Sequence, residues 1–352
     1  MSLASLVFLQ LVIVEPEAEP GPAGPPPIKL VVSALVQVEA GARPDPGDVP
    51  GFRLARARLS VDGKLEKTLA IEGFVEIEAS PTSRLLEPPL ADAWLGLDVA
   101  TRALADLGRL RLGQLKVPFG GELARPPPAL MFIDRAAPLL CLAPGRQQFG
   151  SGTSLTLGDS TGRDVGLRWD GAFGPLHLGA GVWNGEGPNR VRAPDPEPHA
   201  GPLVTARAAL ELGPDLPARA HLVAGASFAR GDAAPLAACA GGIGVRRADA
   251  TWGAGDFYFR WKWVRAEAEY VYQNADFDRW GLSGAAGFYA IPDFLLVAFR
   301  AERVPDFWQW TAGLALAYFG DRLRLQYGFT RRTHAGDGLT TSAHLIAFTL
   351  AL

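Results

Sequence analysis

Two cysteines, two methionines and five lysines are all that this 352-residue chain holds of those types. Cys141 and Cys239 are too few for a disulfide framework and stand in no pattern of metal ligands, and the sequence leaves open whether they pair. No apolar stretch reaches the roughly 20 residues that a membrane-spanning helix needs. The histidines (His177, His199, His221, His334 and His344) are isolated from one another. The H-E-x-x-H, G-x-S-x-G and G-K-[ST] patterns are missing, which removes the commonest metalloprotease, hydrolase and nucleotide-loop chemistries. No cofactor or metal is implied. Neither sign of charge dominates: 34 basic against 37 acidic residues leave a net charge of −3, so no bulk attraction to nucleic acid follows. What is plentiful is glycine (41) and proline (29), which suits many turns and argues against long helices.

The N-terminal "MSLASLVFLQLVIV" has an apolar core from Leu3 to Val14, the length of a signal h-region, although a positive n-region and a small-x-small cleavage site are missing. "EPEAEPGPAGPPP" then reads as an extended, proline-rich linker. Residues 1–27 are therefore expected to be an export segment and linker, and 28–352 one folded domain.

From residue 28 onward the chain alternates. In "DRLRLQYGFTRR" (321–332), Leu323, Leu325, Tyr327 and Phe329 fall on one face, and Arg322, Arg324, Gln326 and Thr330 on the other. A period of two with one apolar and one polar face is a half-buried β-strand. The pattern predicts about sixteen strands, near 28–39, 52–61, 65–79, 90–100, 107–117, 162–170, 175–184, 201–212, 218–230, 245–258, 261–274, 279–290, 293–304, 308–319, 322–333 and 340–352. The gaps alternate as well. Long ones at 40–51, 80–89, 118–161, 185–200 and 231–244 are separated by short ones such as "DGK" (62–64), a tight hairpin signal, and "GAFG" (171–174). A soluble sandwich would alternate along its strands, but its two ends would carry comparable loops. Sided loops and an even strand count are the mark of an all-β, antiparallel transmembrane barrel, with lipid outside and water within. The 9 Trp, 18 Phe and 6 Tyr are enough for aromatic girdles at its two rims.

Charge falls where a wet interior would want it. Glu66, Glu72, Glu76 and Glu78 share a face, as do Arg56 and Arg58, Arg265 with Glu267 and Glu269, and Arg207 with Glu211. A row of like charges is costly unless solvated or faced by opposite charge, and a wide channel allows both. Arg56, Arg58, Arg109, Arg111, Arg322 and Arg324 are candidates for a basic wall, with Glu72 and Glu76 in an acidic one; the facing of Arg109 and Arg111 is open because parity slips near Gly113. The longest gap, 118–161, holds Arg125, Arg135 and Arg146, with Lys116 leading into it. Those arginines either point into a constriction, where rings of Arg or Lys attract anions, or pin the segment to the acidic wall.

The stretch "LGRLRLGQLKVPFGGELARPPPALMFIDRAAP" (107–138) resembles the phosphate-selective porin O and P family through Gly113, Gln114, Lys116, Pro118, Phe119, Gly120, Phe132, Ile133 and Arg135. "FRLARARLSVDGKLEKTL" is similar to that family's early hairpin, and "RDVGLRWDGAFGPLHLGAGVWNGEG" to a later piece. The resemblance implies a sixteen-stranded barrel in a bacterial outer membrane, a homotrimer, with the third long loop folded into the lumen. It also implies passage of small hydrophilic solutes or anions. Of the lysines, only Lys116 falls in the motif, so a lysine phosphate cluster is not matched, and Leu352 stands where such barrels commonly end in Phe. The expected function is a passive, weakly anion-preferring channel; the alternative is a non-conducting structural or adhesive barrel whose third loop plugs the lumen.

Overall fold

A computed structural model describes residues 28–41, 51–65, 70–79, 90–98, 108–125, 130–133, 135–142, 144, 163–185, 202–213, 220–233, 248–275, 278–318 and 323–351, and for most of the second to fourth strands the backbone alone. The export segment and linker expected over 1–27 lie outside these residues.

The described chain is almost wholly β. In order it forms β1 (Ile28–Gly41), β2 (Gly51–Leu65), β3 (Ala70–Ala79), β4 (Leu90–Asp98), β5 (Arg109–Lys116), β6 (Arg163–Phe173), β7 (Leu176–Trp183) and β8 (Leu203–Leu212). There follow β9 (Ala220–Ala233), β10 (Ala248–Trp261), β11 (Val264–Asn274), β12 (Asp278–Ile291), β13 (Leu295–Val304), β14 (Phe307–Tyr318), β15 (Leu323–His334) and β16 (Thr340–Ala351). Two short helices, α1 (Gly121–Ala124) and α2 (Ala137–Leu142), interrupt the passage from β5 to β6. Every strand pairs antiparallel with its sequence neighbours, and β1 pairs with both β2 and β16, so the sheet is a closed barrel. Closure leaves no strand edge unpaired, the condition for a sheet to sit in lipid.

The two faces of the ring differ as the period of two requires. Val204, Phe228, Leu282, Phe299, Leu314 and Ile346 are exposed on the outer face. Arg265, Glu269, Arg300, Glu302, Arg324 and Thr349 are buried on the inner one. An exposed apolar surface that recurs from strand to strand among the described side chains marks contact with something apolar. Aromatic rings gather at both rims: Trp263 stacks on Phe288 (centroids 6.3 Å apart) beside the β10–β11 turn, and Phe299 stacks on Trp310 (6.0 Å) towards the other rim. Both arrangements suit aromatic girdles.

Two turn positions depart from the sequence expectation. "DGK" is not a hairpin turn: β2 continues to Leu65, with Asp62, Gly63 and Lys64 in register with Phe74, Gly73 and Glu72. Continuous pairing with β1 on one side and β3 on the other overrides the local turn preference of Asp-Gly. The hairpin expected just after Tyr258 instead turns at Lys262–Trp263, where Lys262 takes φ 37, because Phe259, Arg260 and Trp261 stay in register with Ala266, Arg265 and Val264. Both shifts move a turn by a few residues and leave the facing of Arg265, Glu267 and Glu269 as expected.

Candidate functional site

The chain leaves β5 through Pro118–Phe119–Gly120–Gly121 and bends onto the polar inner face. Gly120 holds φ +72, a region that only glycine adopts without strain. A Cβ on it would lie 2.3 Å from Glu269 Oε1, and one on Gly121 would lie 2.4 Å from Asp256 Oδ1. The paired glycines thus allow the backbone to run against β10 and β11. There the Gly120 N–H donates to Ser227 Oγ (3.1 Å), and the Gly121 and Glu122 N–H groups donate to the two Glu269 oxygens (3.0 and 3.3 Å).

Arg125 donates both terminal nitrogens to Glu267 (2.6 and 3.0 Å), and its guanidinium lies 5.0 Å from the centre of the Tyr258 ring. A bidentate guanidinium–carboxylate pair of this kind fixes direction as well as distance. Burial works against the Arg125 charge, but Glu267 outweighs it and holds the guanidinium more firmly protonated than usual. Arg135 is buried and donates to the carbonyls of Glu122 and Arg125, the latter at 2.9 Å. Glu122 accepts from the Ala136 N–H (2.7 Å), and burial pushes its carboxyl above the usual range against the pull of Arg300. Further along, the Ala137 N–H donates to Glu302 (2.6 Å), Gln326 donates to the Met131 carbonyl, and Arg300 sits 4.6 Å over the Phe132 ring. The described part of this segment is therefore sewn to β9, β11, β13 and β15.

Apolar burial completes the attachment. Phe119, Leu139 and Leu142 join Trp183, Trp252, Val271, Val304 and Phe307 in one cluster, and Met131 and Phe132 join Tyr289, Leu296 and Ala298 in a second. Cys141, in the first cluster, is disulfide-bonded; the sequence holds one other cysteine, Cys239, which lies outside the described residues. Beside α1 a cavity of about 360 Å³ opens between the segment and β8–β13, with Arg125, Arg207, Tyr258, Arg265, Glu267 and Arg300 in its lining.

On the wall formed by β5 and β6, Arg111 and Arg168 are direct cross-strand partners. Two like charges opposite one another are unfavourable. Here Asp170 stands between them, 2.7 Å from Arg111 and 2.6 Å from Arg168, and all three side chains are about a fifth to a quarter exposed. Arg109 is in register with Asp170, which settles the open question of facing: Arg109 and Arg111 belong to the same face as Arg168. The Lys116 carbonyl accepts from Arg168 (2.9 Å). Arg207 forms a bidentate pair with Asp256 (2.5 and 2.8 Å), and Arg300 pairs with Glu302 (3.0 Å).

The sequence candidates thus separate. Arg125 reaches the acidic Glu267 of β11, whereas Arg135 bonds carbonyls within its own segment rather than the acidic wall. Arg109, Arg111 and Lys116 lie on or beside the β5–β6 wall, and Arg324 is buried on the inner face of β15. Arg56 and Arg58 stand in register with Gln37 and Leu35, and Glu72 and Glu76 with Lys64 and Ser60, their side chains being outside the description. Arg146 and Arg322 lie outside the described residues altogether. Arg168, Asp170, Arg300, Glu302 and Tyr258 were missed, although "RWD" and "RAE" place a cation and a carboxylate two apart, on one strand face. Among the described residues no group of His, Cys, Asp and Glu is arranged to hold a metal ion.

No protein-family model matches the sequence, and no curated protein matches it significantly. Solved structures do. An anion-selective porin from Comamonas acidovorans superposes with a TM-score of 0.62 at 12% identity, over 93% of this chain and 100% of that one. OmpF of Salmonella typhi, in complex with daunomycin, gives 0.60 at 12% over 92% and 97%. The outer-membrane channel DcaP of Acinetobacter baumannii gives 0.57 at 11% over 92% and 97%. At such identities the likeness is one of fold: the chain has the fold of outer-membrane porins.

Proposed function

We propose that the protein is a porin of the bacterial outer membrane, a passive channel for small hydrophilic solutes. It is a sixteen-stranded transmembrane barrel (28–352) with an export segment and linker before it (1–27), and its third long loop lies in the lumen. The observation that carries this reading is the division of one closed ring into an apolar outside and a charged inside, the arrangement a membrane pore requires. The pieces of the loop that pack on β9–β15 support a constriction on that side, with the β5–β6 wall across from it. Like the trimeric form of OmpT, an outer-membrane protein of Vibrio cholerae with this fold, it assembles as a homotrimer.

Weak anion preference follows from the same geometry. Arg125 is paired with Glu267, and Arg135 is bonded to carbonyls. The sign is set instead at the β5–β6 wall, where Arg111 and Arg168 both meet Asp170 and where Arg109 and Lys116 lie on or beside the same wall. Low-dielectric walls strengthen the field of each such charge. Phosphate passes as one small anion among others, and membership of the porin O and P family is carried by the 107–138 motif.

Reversal potentials in a KCl gradient test this. The native protein should favour chloride, and Arg111→Ala and Arg168→Ala should each move the potential towards cation selectivity. A cation-selective native channel, or two variants indistinguishable from it, would refute the assignment. A second reading, a non-conducting barrel plugged by its third loop, draws on the apolar packing of Phe119, Leu139 and Leu142 inside the ring. The same recordings would then show no current.

A further inference from the structure

At the rim that carries the short connections β6–β7, β8–β9 and β10–β11, two histidines from different strands converge on one carboxylate. His177 of β7 lies 3.1 Å from Glu211 Oε2, and His221 of β9 lies 2.8 Å from Glu211 Oε1, through Nε2 in both cases. All three occupy inner-face positions and remain partly open to solvent, at 46%, 31% and 33% side-chain exposure for His177, Glu211 and His221. The two imidazoles are not core residues, and nothing in the segment that narrows the lumen uses them.

We propose that His177, Glu211 and His221 form a proton-responsive charge cluster at the periplasmic mouth, which sets the channel's ion preference according to pH. This rests on the porin reading above. With both imidazoles neutral the cluster carries the single negative charge of Glu211, and with both protonated it carries one positive charge. The mouth therefore differs by two charges between these two protonation states, and imidazole is the side chain whose charge ordinarily responds to mild acid. A charged rim at a pore entrance acts on permeant ions directly.

The surroundings bear on the sign of the response. His221 is the cross-strand partner of Arg260, which itself pairs with Asp293 (2.5 Å) in the β12–β13 turn and stands in register with Arg265. Its ring also meets Tyr258 edge-on at 5.4 Å. Behind Tyr258 lie Arg125, Arg265 and Glu267, and beyond them the Arg207–Asp256 pair. On the β6 side, Asp170 is held by Arg111 and Arg168. Asp215 and Arg219, in the β8–β9 connection, lie outside the described residues. Among the described side chains the nearest strong charges thus have partners of their own, whereas Glu211 is met by the two imidazoles, so protonation of those imidazoles is what changes the local sign.

The test is the reversal potential of the purified full-length protein in a KCl gradient at pH 8 and at pH 5. Comparison is made with His177→Gln, His221→Gln, the double variant, and His344→Gln on the outer face as a control. The native protein and the control should raise their chloride-to-potassium permeability ratio by at least about two-fold on acidification. Each single variant should keep part of that rise, and the double variant should lose it. A native ratio that does not change with pH, or a double variant that titrates like the native protein, overturns the proposal while conductance steps persist. The absence of any conductance would instead sink the channel reading itself.

Discussion

Replacing both Arg125 and Arg135 with alanine is expected to loosen the segment between α1 and α2 on the barrel wall, where Met131 and Phe132 stay seated, and to widen the conducting path. Arg125 ties that stretch to Glu267 through two hydrogen bonds of 2.6 and 3.0 Å. Hydrogen bonds to charged groups contribute about 1.5–3 kcal/mol each in favourable settings. Glu267 would keep Arg265 at 2.7 Å, so the wall itself should survive the change. Loss of Arg135 removes a donor from the Glu122 carbonyl, which keeps the Arg125 N–H, and from the partly buried Arg125 carbonyl, at a cost of about 1–3 kcal/mol if the latter is left unsatisfied. The apolar seats of Phe119 and Leu139 remain, so the effect should be a loosened loop rather than an unfolded barrel. Open-channel conductance and current noise should rise above those of the native protein, and limited proteolysis should begin to cut near residues 126–136. Unchanged conductance together with unchanged protease resistance would show that these arginines do not hold the loop.

The second large effect concerns the outer face. Leu314 stands near the middle of β14, is 45% exposed and points away from the lumen, in register with Val297 and Tyr327. An arginine on the lipid face of a barrel costs about 2–4 kcal/mol at the bilayer midplane. Leu314→Arg should therefore lower the unfolding free energy of the protein in phospholipid bilayers by that amount, measured by denaturant titration of tryptophan fluorescence. On β15 the chain already carries Arg324 on the opposite face, in register with Ala317 and Thr349 and buried beside Gln326, so arginine as such is not excluded from the inner face of the barrel. A Leu314→Arg protein as stable as the native one would mean that this face is wet.

Much of the strand pattern could be read from the letters because lipid and water write opposite demands on alternate residues. Arg265, Glu267 and Glu269 against Val264, Ala266 and Ala268 is one strand's worth of that record, and Arg324, Gln326 and Thr330 against Leu325, Tyr327 and Phe329 is another. Turn chemistry was less reliable. Asp62–Gly63 carries a hairpin preference, yet pairing with both neighbouring strands keeps it extended. The site was harder to read, since its pairs are long-range: Arg125 meets Glu267 across 142 residues, and Ala137 meets Glu302 across 165. No local period records such contacts, so the sequence could place arginines in the loop without saying what they would bind. Arg168 and Asp170 are different, because their spacing of two on a strand announced a shared face, and only the identity of their partner, Arg111, required the fold.

Recording purified protein in a planar lipid bilayer addresses the central claim most directly. Discrete, ohmic conductance steps that persist at low voltage, with a reversal potential on the chloride side in a KCl gradient, are the predicted result. Properly folded protein that inserts into the bilayer and passes no current would contradict it.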